Sequence, residues 1–327
     1  MNVKEGLMKI LAEAGDSFTS GTAAAAALGV SRNAVWKAVK ALEAEGYEIE
    51  SVKSRGYRIA ESSNRLSQEL ISAKLETVRL GRSLVVLGET DSTNNYAKKL
   101  ASTGAVHGTT VVADQQTAGK GRLGRAFISP PGTGLYMSVI VRPEFGLDAA
   151  AMITAAAACA AAEAVEALCG QSVRIKWVND LYMNGRKICG ILTEASLGLE
   201  MKSLDYAVIG IGINVGRVGD AFGEELSRIA TSIEDETGVR ISRSALCAEL
   251  LGRLEFYLGK VVTREFLPEY RRREMLTGHE VTAQVGGITL TGRAIGVDDN
   301  ANLMILLPDG SERHLSSGEA NLLRIKR

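Results

Sequence analysis

The chain has 327 residues, 46% hydrophobic and 23% charged, which excludes a disordered or fibrous chain and leaves room for two or three domains. Lysine and arginine total 38, as do aspartate and glutamate, so the net charge is zero. That balance excludes a protein that coats nucleic acid nonspecifically, and any DNA contact must come from a local patch.

Residues 1–62 are expected to form a winged helix-turn-helix. Leu7, Ile10 and Leu11 recur as one face of a first helix. Residues 20–47 hold two more helices around a tight turn. Gly29 ends the earlier one, and Ser31 can N-cap the later one, where Val35, Val39 and Leu42 recur at helical spacing. The stretch YEIESVKSRGYRIA (47–60) reads as strand, turn, strand: a wing. Ser31, Arg32, Asn33 and Lys37 belong to the helix that would meet base edges, and Lys53 and Arg55 tip the wing, where phosphates would lie. A protein-interaction module is the alternative. Six cations against four acids between residues 31 and 58 make a weakly basic module, so tight DNA binding should require a dimer.

ESSNRLSQ (61–68) is polar and reads as a linker. From 66 to 276, strand-like runs at 83–89, 109–114, 135–143, 173–180, 187–195 and 206–215 alternate with helical patterns near 93–102, 148–169 and 242–259, the mark of a mixed sheet covered by helices. The most apolar helix (149–170) is mostly alanine and contains Glu163 and Glu166, so we expect it buried on the sheet and not in a membrane. Residues 277–327 change to short strands separated by Gly-Gly, Asp-Asn and Asp-Gly turns, which predict a small antiparallel barrel. The whole is α+β. Cys159, Cys169, Cys189 and Cys247 have neither zinc nor disulfide spacing. With a first segment lacking the long apolar core of a signal peptide, they point to the cytoplasm.

Four stretches of the middle domain concentrate unusual polar groups. Ser92, Thr93 and Asn94 lie between a strand and a helix, offering more hydrogen-bonding side chains than one cap needs; they suit a neutral group such as a urea. Gln116 is followed by TAGKGRLGR (117–125), where Lys120, Arg122 and Arg125 alternate with Gly119, Gly121 and Gly124. Cations on a permissive backbone suit an anion, without the spacing of a Walker loop or a dinucleotide fingerprint. KWVNDLYMNGRKICGIL (176–192) predicts a hairpin turning at Asn184-Gly185. Asp180 and Lys187 can face each other across it, either as a plain ion pair or as a phosphate-reaching lysine beside a metal ligand or base. Lys176 adds charge, and of the adjacent Arg186 and Lys187 only one can enter a site. GIGINV (210–215) has glycines that admit a flat ring and Asn214 to hydrogen-bond a nucleotide. The isolated histidines and the lack of a GxSxG elbow leave chemistry to cations and backbone, as in phosphoryl or nucleotidyl transfer.

In that order, QTAGKGRLGR, KWVNDLYMNGRKICGIL and GIGINV resemble the biotin–protein ligases, and the preceding GVSRNAVWKAVKALEAEGYEIESVKSRGYRI resembles the members that are also biotin-operon repressors. The resemblance covers essentially the whole chain. It implies a biotin/lipoate-ligase-like catalytic domain and an SH3-like C-terminal barrel. Biotin and ATP would be joined as biotinyl-AMP, with Mg2+ expected, and biotin then passed to a lysine of a biotin carboxyl carrier protein. Operator DNA and a ligand-promoted homodimer are the other implied partners. Ser92, Thr93, Asn94, Gln116, Lys120, Gly121, Arg122 and Lys187 would hold biotin. Lys176, Asn179 and Asn214 would meet the nucleotide, and Arg122, Lys187 and Asp180 would serve catalysis. Two departures stand out: Lys120 where the loop often has arginine, and Val178 where the hairpin usually has proline. A lipoate ligase of the same fold and a non-catalytic ligand-sensing transcription factor are the competing readings.

Overall fold

The computed structural model describes residues 2–142, 149–197 and 204–323. Pro143 and Asp148, at the edges of an expected strand and helix, and the last four residues of the expected barrel lie outside that range.

Three helices and a two-stranded wing open the chain: α1 (Val3–Ala14), α2 (Gly21–Leu28), α3 (Arg32–Ala44), β1 (Ile49–Val52) and β2 (Gly56–Ile59). Gly29 takes the left-handed conformation (φ 65°) that stops α2, and Ser31 Oγ accepts from Ala34 N at 3.2 Å to start α3. Leu7, Leu11, Val35, Val39 and Leu42 close a small core.

The segment expected as a linker is instead pinned. Arg243, 2% exposed, donates to Asn64 O through Nε (3.0 Å) and Nη2 (2.8 Å), to Gly134 O through Nη1 (3.0 Å), and pairs with Asp114 Oδ1 at 2.7 Å. Ser244 Oγ donates to Arg65 O, and Ser63, Leu66 and Ser67 are buried. Polar composition alone reads as solvated; here the partners come from a helix far along the chain.

The strap leads into α4 (Gln68–Lys74), β3 (Leu84–Thr90), α5 (Thr93–Ser102), β4 (Thr110–Gln116), β5 (Gly134–Val141), α6 (Ala149–Cys169), β6 (Arg174–Lys176), β7 (Asp180–Met183), β8 (Arg186–Leu197) and β9 (Leu204–Asn214). Short helices α7 (Gly223–Ser227) and α8 (Ile233–Thr237) precede α9 (Arg243–Leu258) and α10 (Leu267–Arg273). The sheet order is β3-β4-β5-β9-β8-β7-β6, parallel only between β3 and β4. The run expected as one strand over 173–180 is two, β6 and β7, separated by a turn at 177–179. Strand alternation divides the core. Val111, Ile140 and Val208 pack with Ala97 and Ala101 of α5, while Val112, Val139 and Ile209 join the main core with α6 and α9. By length and composition Met152–Cys169 of α6 could cross a membrane, yet 78% of it is buried in the molecule. Its small alanines admit close approach, and its acids are compensated: Glu166 by Arg273 at 2.6 and 2.8 Å, Glu163 by Arg253 and Tyr257.

The C-terminal strands β10 (Glu280–Val285), β11 (Ile288–Val297), β12 (Leu303–Leu306), β13 (Glu312–Leu315) and β14 (Glu319–Leu322) form one antiparallel sheet in the order β13-β12-β11-β10-β14. Its inner residues, among them Val281, Ala283 and Leu303, belong to the same contiguous core as the middle domain.

Candidate active site

One cleft gathers the middle-domain residues singled out in the sequence. Ser92, Thr93, Asn94, Gln116, Lys120, Gly121, Arg122, Lys176, Asn179, Asp180, Lys187 and Asn214 all line it, and it encloses about 1320 Å³ of empty space, mouth included.

One end is neutral and hydrogen-bonding. Ser92 starts α5 but makes no side-chain cap hydrogen bond, so ordinary capping does not account for it. Gln116 Oε1 accepts from Thr93 N (2.9 Å) and Thr93 Oγ1 (3.1 Å), while Gln116 Nε2 donates to Ser129 Oγ (2.8 Å). Asn94 Nδ2 donates to Glu194 Oε2 (2.8 Å), and Asn94 Oδ1 accepts from Ser138 Oγ (2.6 Å). Glu194 is balanced by Lys98 at 2.7 Å. Burial would raise the Glu194 pKa, but hydrogen bonds from Lys98 and Asn94 hold it below the usual carboxylate range. Amide orientations are therefore fixed before any ligand arrives.

The other end is cationic. In the glycine-rich loop, Lys120 donates to Asn95 Oδ1 (2.8 Å), and Gly121 N donates to Arg125 O (2.7 Å). Arg122 spans two elements: Nη1 donates to Asn179 Oδ1 (3.0 Å) and Nη2 to Gly318 O (2.9 Å). Asn179 in turn donates to Ile191 O at 2.8 Å. The β7–β8 hairpin turns at Asn184 (φ 49°) and Gly185 (φ 83°), the backbone that an Asn-Gly pair adopts most readily. A register shift between Leu181 and Tyr182 lets Lys187 Nζ reach Asp180 Oδ1 at 2.7 Å. Arg186 turns instead to Glu236 on α8. Burial lowers the Lys176 pKa, with Asp180 and Glu319 opposing, and raises the Tyr182 hydroxyl to about 12. The Trp177–Val178 peptide is cis.

Several cleft residues escaped sequence reasoning. Gly318 and Glu319, from the C-terminal sheet, form part of the wall, and Arg125 pairs with Glu319 at 2.7 Å. Lys176 also reaches across, donating to Asn321 Oδ1 at 2.5 Å. The glycines of 210–215 were expected to admit a ligand's flat ring; in this structure they admit side chains of the protein itself. A Cβ on Gly212 would lie 2.6 Å from the Phe127 ring, and one on Gly210 would lie 2.1 Å from Asn94 Oδ1. Asn214 donates to Thr231 O at 2.9 Å. Ser138 and Glu194 carried no local signal, because each sits mid-strand and acts through partners distant in sequence: Ser138 through Thr93 and Asn94, Glu194 through Asn94 and Lys98.

The residues assigned to DNA lie apart from the cleft. Arg32, Asn33 and Lys37 on α3 and Lys53 and Arg55 on the wing are exposed, as is Ser31, whose oxygen serves as the α3 cap. Arg55 lies over the Phe18 ring, 4.2 Å from its centroid.

Fold and site define a protein class: a winged-helix module joined to a ligand-binding mixed-sheet domain whose cleft is completed by a C-terminal β-sheet. Comparison with known proteins gives the same division. The model of the biotin/lipoate A/B protein ligase family matches residues 87–214, an HTH domain matches 4–58, and the biotin protein ligase C terminal domain matches 277–323. The chain is 36% identical over 318 residues to the bifunctional ligase/repressor BirA of Bacillus subtilis, covering 96% of this chain and 97% of that protein. The corresponding protein of Escherichia coli is 32% identical over 313 residues, 94% of each chain. The biotin protein ligase from Aquifex aeolicus in complex with biotin and ATP superposes with a TM-score of 0.64 at 31% identity, over 75% of this chain and all of that one. This chain belongs to the biotin protein ligase family, with the domain order of its bifunctional ligase/repressors.

Proposed function

We propose that the chain is an ATP-dependent biotin–protein ligase that also represses transcription in response to biotin. One observation carries the reading: a single cleft joins a preorganised neutral hydrogen-bonding end to Lys120, Arg122 and Lys187. The family supports it. Biotin's ureido ring suits the Thr93, Asn94 and Gln116 end, and its carboxylate points toward the cations. A carboxylate oxygen attacks the α-phosphorus of ATP, the bond to the β-phosphate breaks, and pyrophosphate leaves. Two anions must approach each other, so Arg122 and Lys187 act by neutralising repulsion and the charge of the transition state. Lys176, Asn179 and Asn214 line the same cleft, which supports their meeting the nucleotide.

The mixed anhydride must be kept from water until an acceptor amine arrives. Lys120 and Gly121 of the loop, with apolar Phe127 and Trp177, line that space. The amine of an acceptor lysine then attacks the anhydride carbonyl, an amide forms, and AMP leaves. The acceptor we propose is a biotin carboxyl carrier protein. Magnesium would be held with ATP at Asp180, a cleft carboxylate whose Oδ1 pairs with Lys187 at 2.7 Å as Glu319 pairs with Arg125, so the ATP phosphates would have to supply most of its ligands. Bound there with ATP, the ion would supply further neutralisation of phosphate charge. Four free, buried cysteines fit a reducing cytoplasm.

The winged helix supports operator binding, with a ligand-promoted homodimer supplying two modules. Pyrophosphate release from ATP in the presence of biotin or lipoate tests the ligase reading. Biotin-dependent release is expected. Release with lipoate alone would overturn the substrate, and release with neither would leave a non-catalytic sensor.

A further inference from the structure

The winged-helix module segregates its charge. Each acid between residues 31 and 58 is held by a base: Glu43 by Lys40 (2.6 Å), Glu45 by Lys4, Glu50 by Arg58 (2.9 Å) and Glu48 by Arg240 of the middle domain (3.6 Å). Among the described residues Arg32, Lys37, Lys53 and Arg55 form no ion pair, and all four are exposed. A weak net positive charge thus becomes a set of uncompensated cations on α3 and the wing. Beside them stands an aromatic residue. Trp36 is 50% exposed, three residues after Asn33 and four after Arg32, so it shares their helix face. The other large apolar residues of α3, Val35, Val39 and Leu42, are buried. An indole half in water among cations needs no partner for folding, but it fits a polyanion that also offers an apolar group.

Duplex DNA is that polyanion. In its major groove the thymine C5 methyl is the one apolar group that a base presents. We propose that Trp36 is a sequence-reading residue whose indole packs on a thymine methyl, while Arg32, Lys37, Lys53 and Arg55 meet the flanking phosphates. The inference rests on the DNA-binding reading above and deepens it, because it assigns Trp36 a base-reading role and states which base it reads.

The test begins by selecting duplexes from a random-sequence pool with the full-length protein, biotin and ATP. Each thymine of the selected site is then replaced in turn by deoxyuridine, which removes only the methyl. For the wild-type protein, one position in each half-site should weaken binding about three- to fivefold, the worth of one buried methyl. Trp36→Ala should bind the unmodified site about tenfold more weakly or worse and show no methyl dependence at that position. Its salt dependence should match wild type, because no phosphate contact is lost. Trp36→Phe, which keeps an aromatic face, should retain part of the methyl effect and guards against a folding defect. Deoxyuridine without effect at every thymine on wild type, or with the same effect on Trp36→Ala, would overturn the proposal. So would a Trp36→Ala protein that dimerises less but reads the methyl unchanged, since Trp36 would then cover a subunit contact. Failure of wild type to enrich any duplex would overturn the DNA reading itself.

Discussion

Arg122 separates charge from geometry, and two substitutions distinguish them. Its guanidinium donates to Asn179 Oδ1 at 3.0 Å and Gly318 O at 2.9 Å, tying the glycine loop to both the hairpin and the C-terminal sheet. Lysine keeps the charge but lacks the fork, so Arg122→Lys loses at least one of these bonds. A hydrogen bond from a charged donor contributes about 1.5–3 kcal/mol, and about 1.4 kcal/mol is a tenfold change in rate. Arg122→Lys should therefore slow biotin-dependent pyrophosphate release roughly 10- to 150-fold if the bond holds the loop in the reactive geometry. Arg122→Ala also removes the cation, and losing one such donor to developing charge costs about 10²–10³-fold. Its total loss should reach about 10³-fold or more. Circular dichroism on both variants checks that the fold survives. A fully active Arg122→Lys would refute the fork; an Arg122→Lys as slow as Arg122→Ala would refute the contribution of charge.

Lys187→Ala should slow pyrophosphate release by about 10²-fold or more, and Asp180→Asn should raise the magnesium concentration needed for half-maximal release; unchanged values would remove either residue from its proposed role. Arg243→Ala leaves Asp114 and two backbone carbonyls without their partner and should destabilise the protein by about 3–5 kcal/mol in urea denaturation, against nearly nothing if the strap were a free linker. Burial pushes Glu166 upward, but Arg273 and the Val173 amide hold its pKa below the ordinary 4.5. The unfolded chain therefore binds the proton more readily, and this stability is present above pH 4.5 and lost as pH falls through the folded value. Glu166→Gln should flatten that acid limb of a stability–pH curve. Biotinyl-AMP should strengthen dimerisation by about 1–3 kcal/mol, measured by sedimentation with and without the ligand, and equal constants would sink the regulatory coupling.

Local chemistry made much of this protein legible. Ser31, Gly29 and the period of Val35, Val39 and Leu42 specify a helix start, a stop and a buried face within a few residues of one another. Asn184-Gly185 specifies its turn because both residues accept left-handed backbone. The run of Ser92, Thr93 and Asn94 exceeded what a cap needs, and Ser92 indeed makes no cap bond. Adjacent Arg186 and Lys187 had to diverge, because consecutive strand residues face opposite sides.

Other features depended on partners far apart in the chain. The strap at 61–67 looks solvated until Arg243 and Ser244 are brought against it. The break between β6 and β7 is invisible in VRIKWVND, whose opening alternation of apolar and polar residues reads as one strand. Gly210 and Gly212 announced only an absence of side chain, and the fold decided that Asn94 and Phe127 would fill it. The C-terminal strands read only as a small antiparallel barrel, with no sign that Gly318 and Glu319 would wall the cleft through Arg122 and Arg125. Sequence period and turn chemistry act over one to four residues, so they fix elements and propose the chemistry of each; which elements share a cleft follows from burying one common core, and only the tertiary structure decides that.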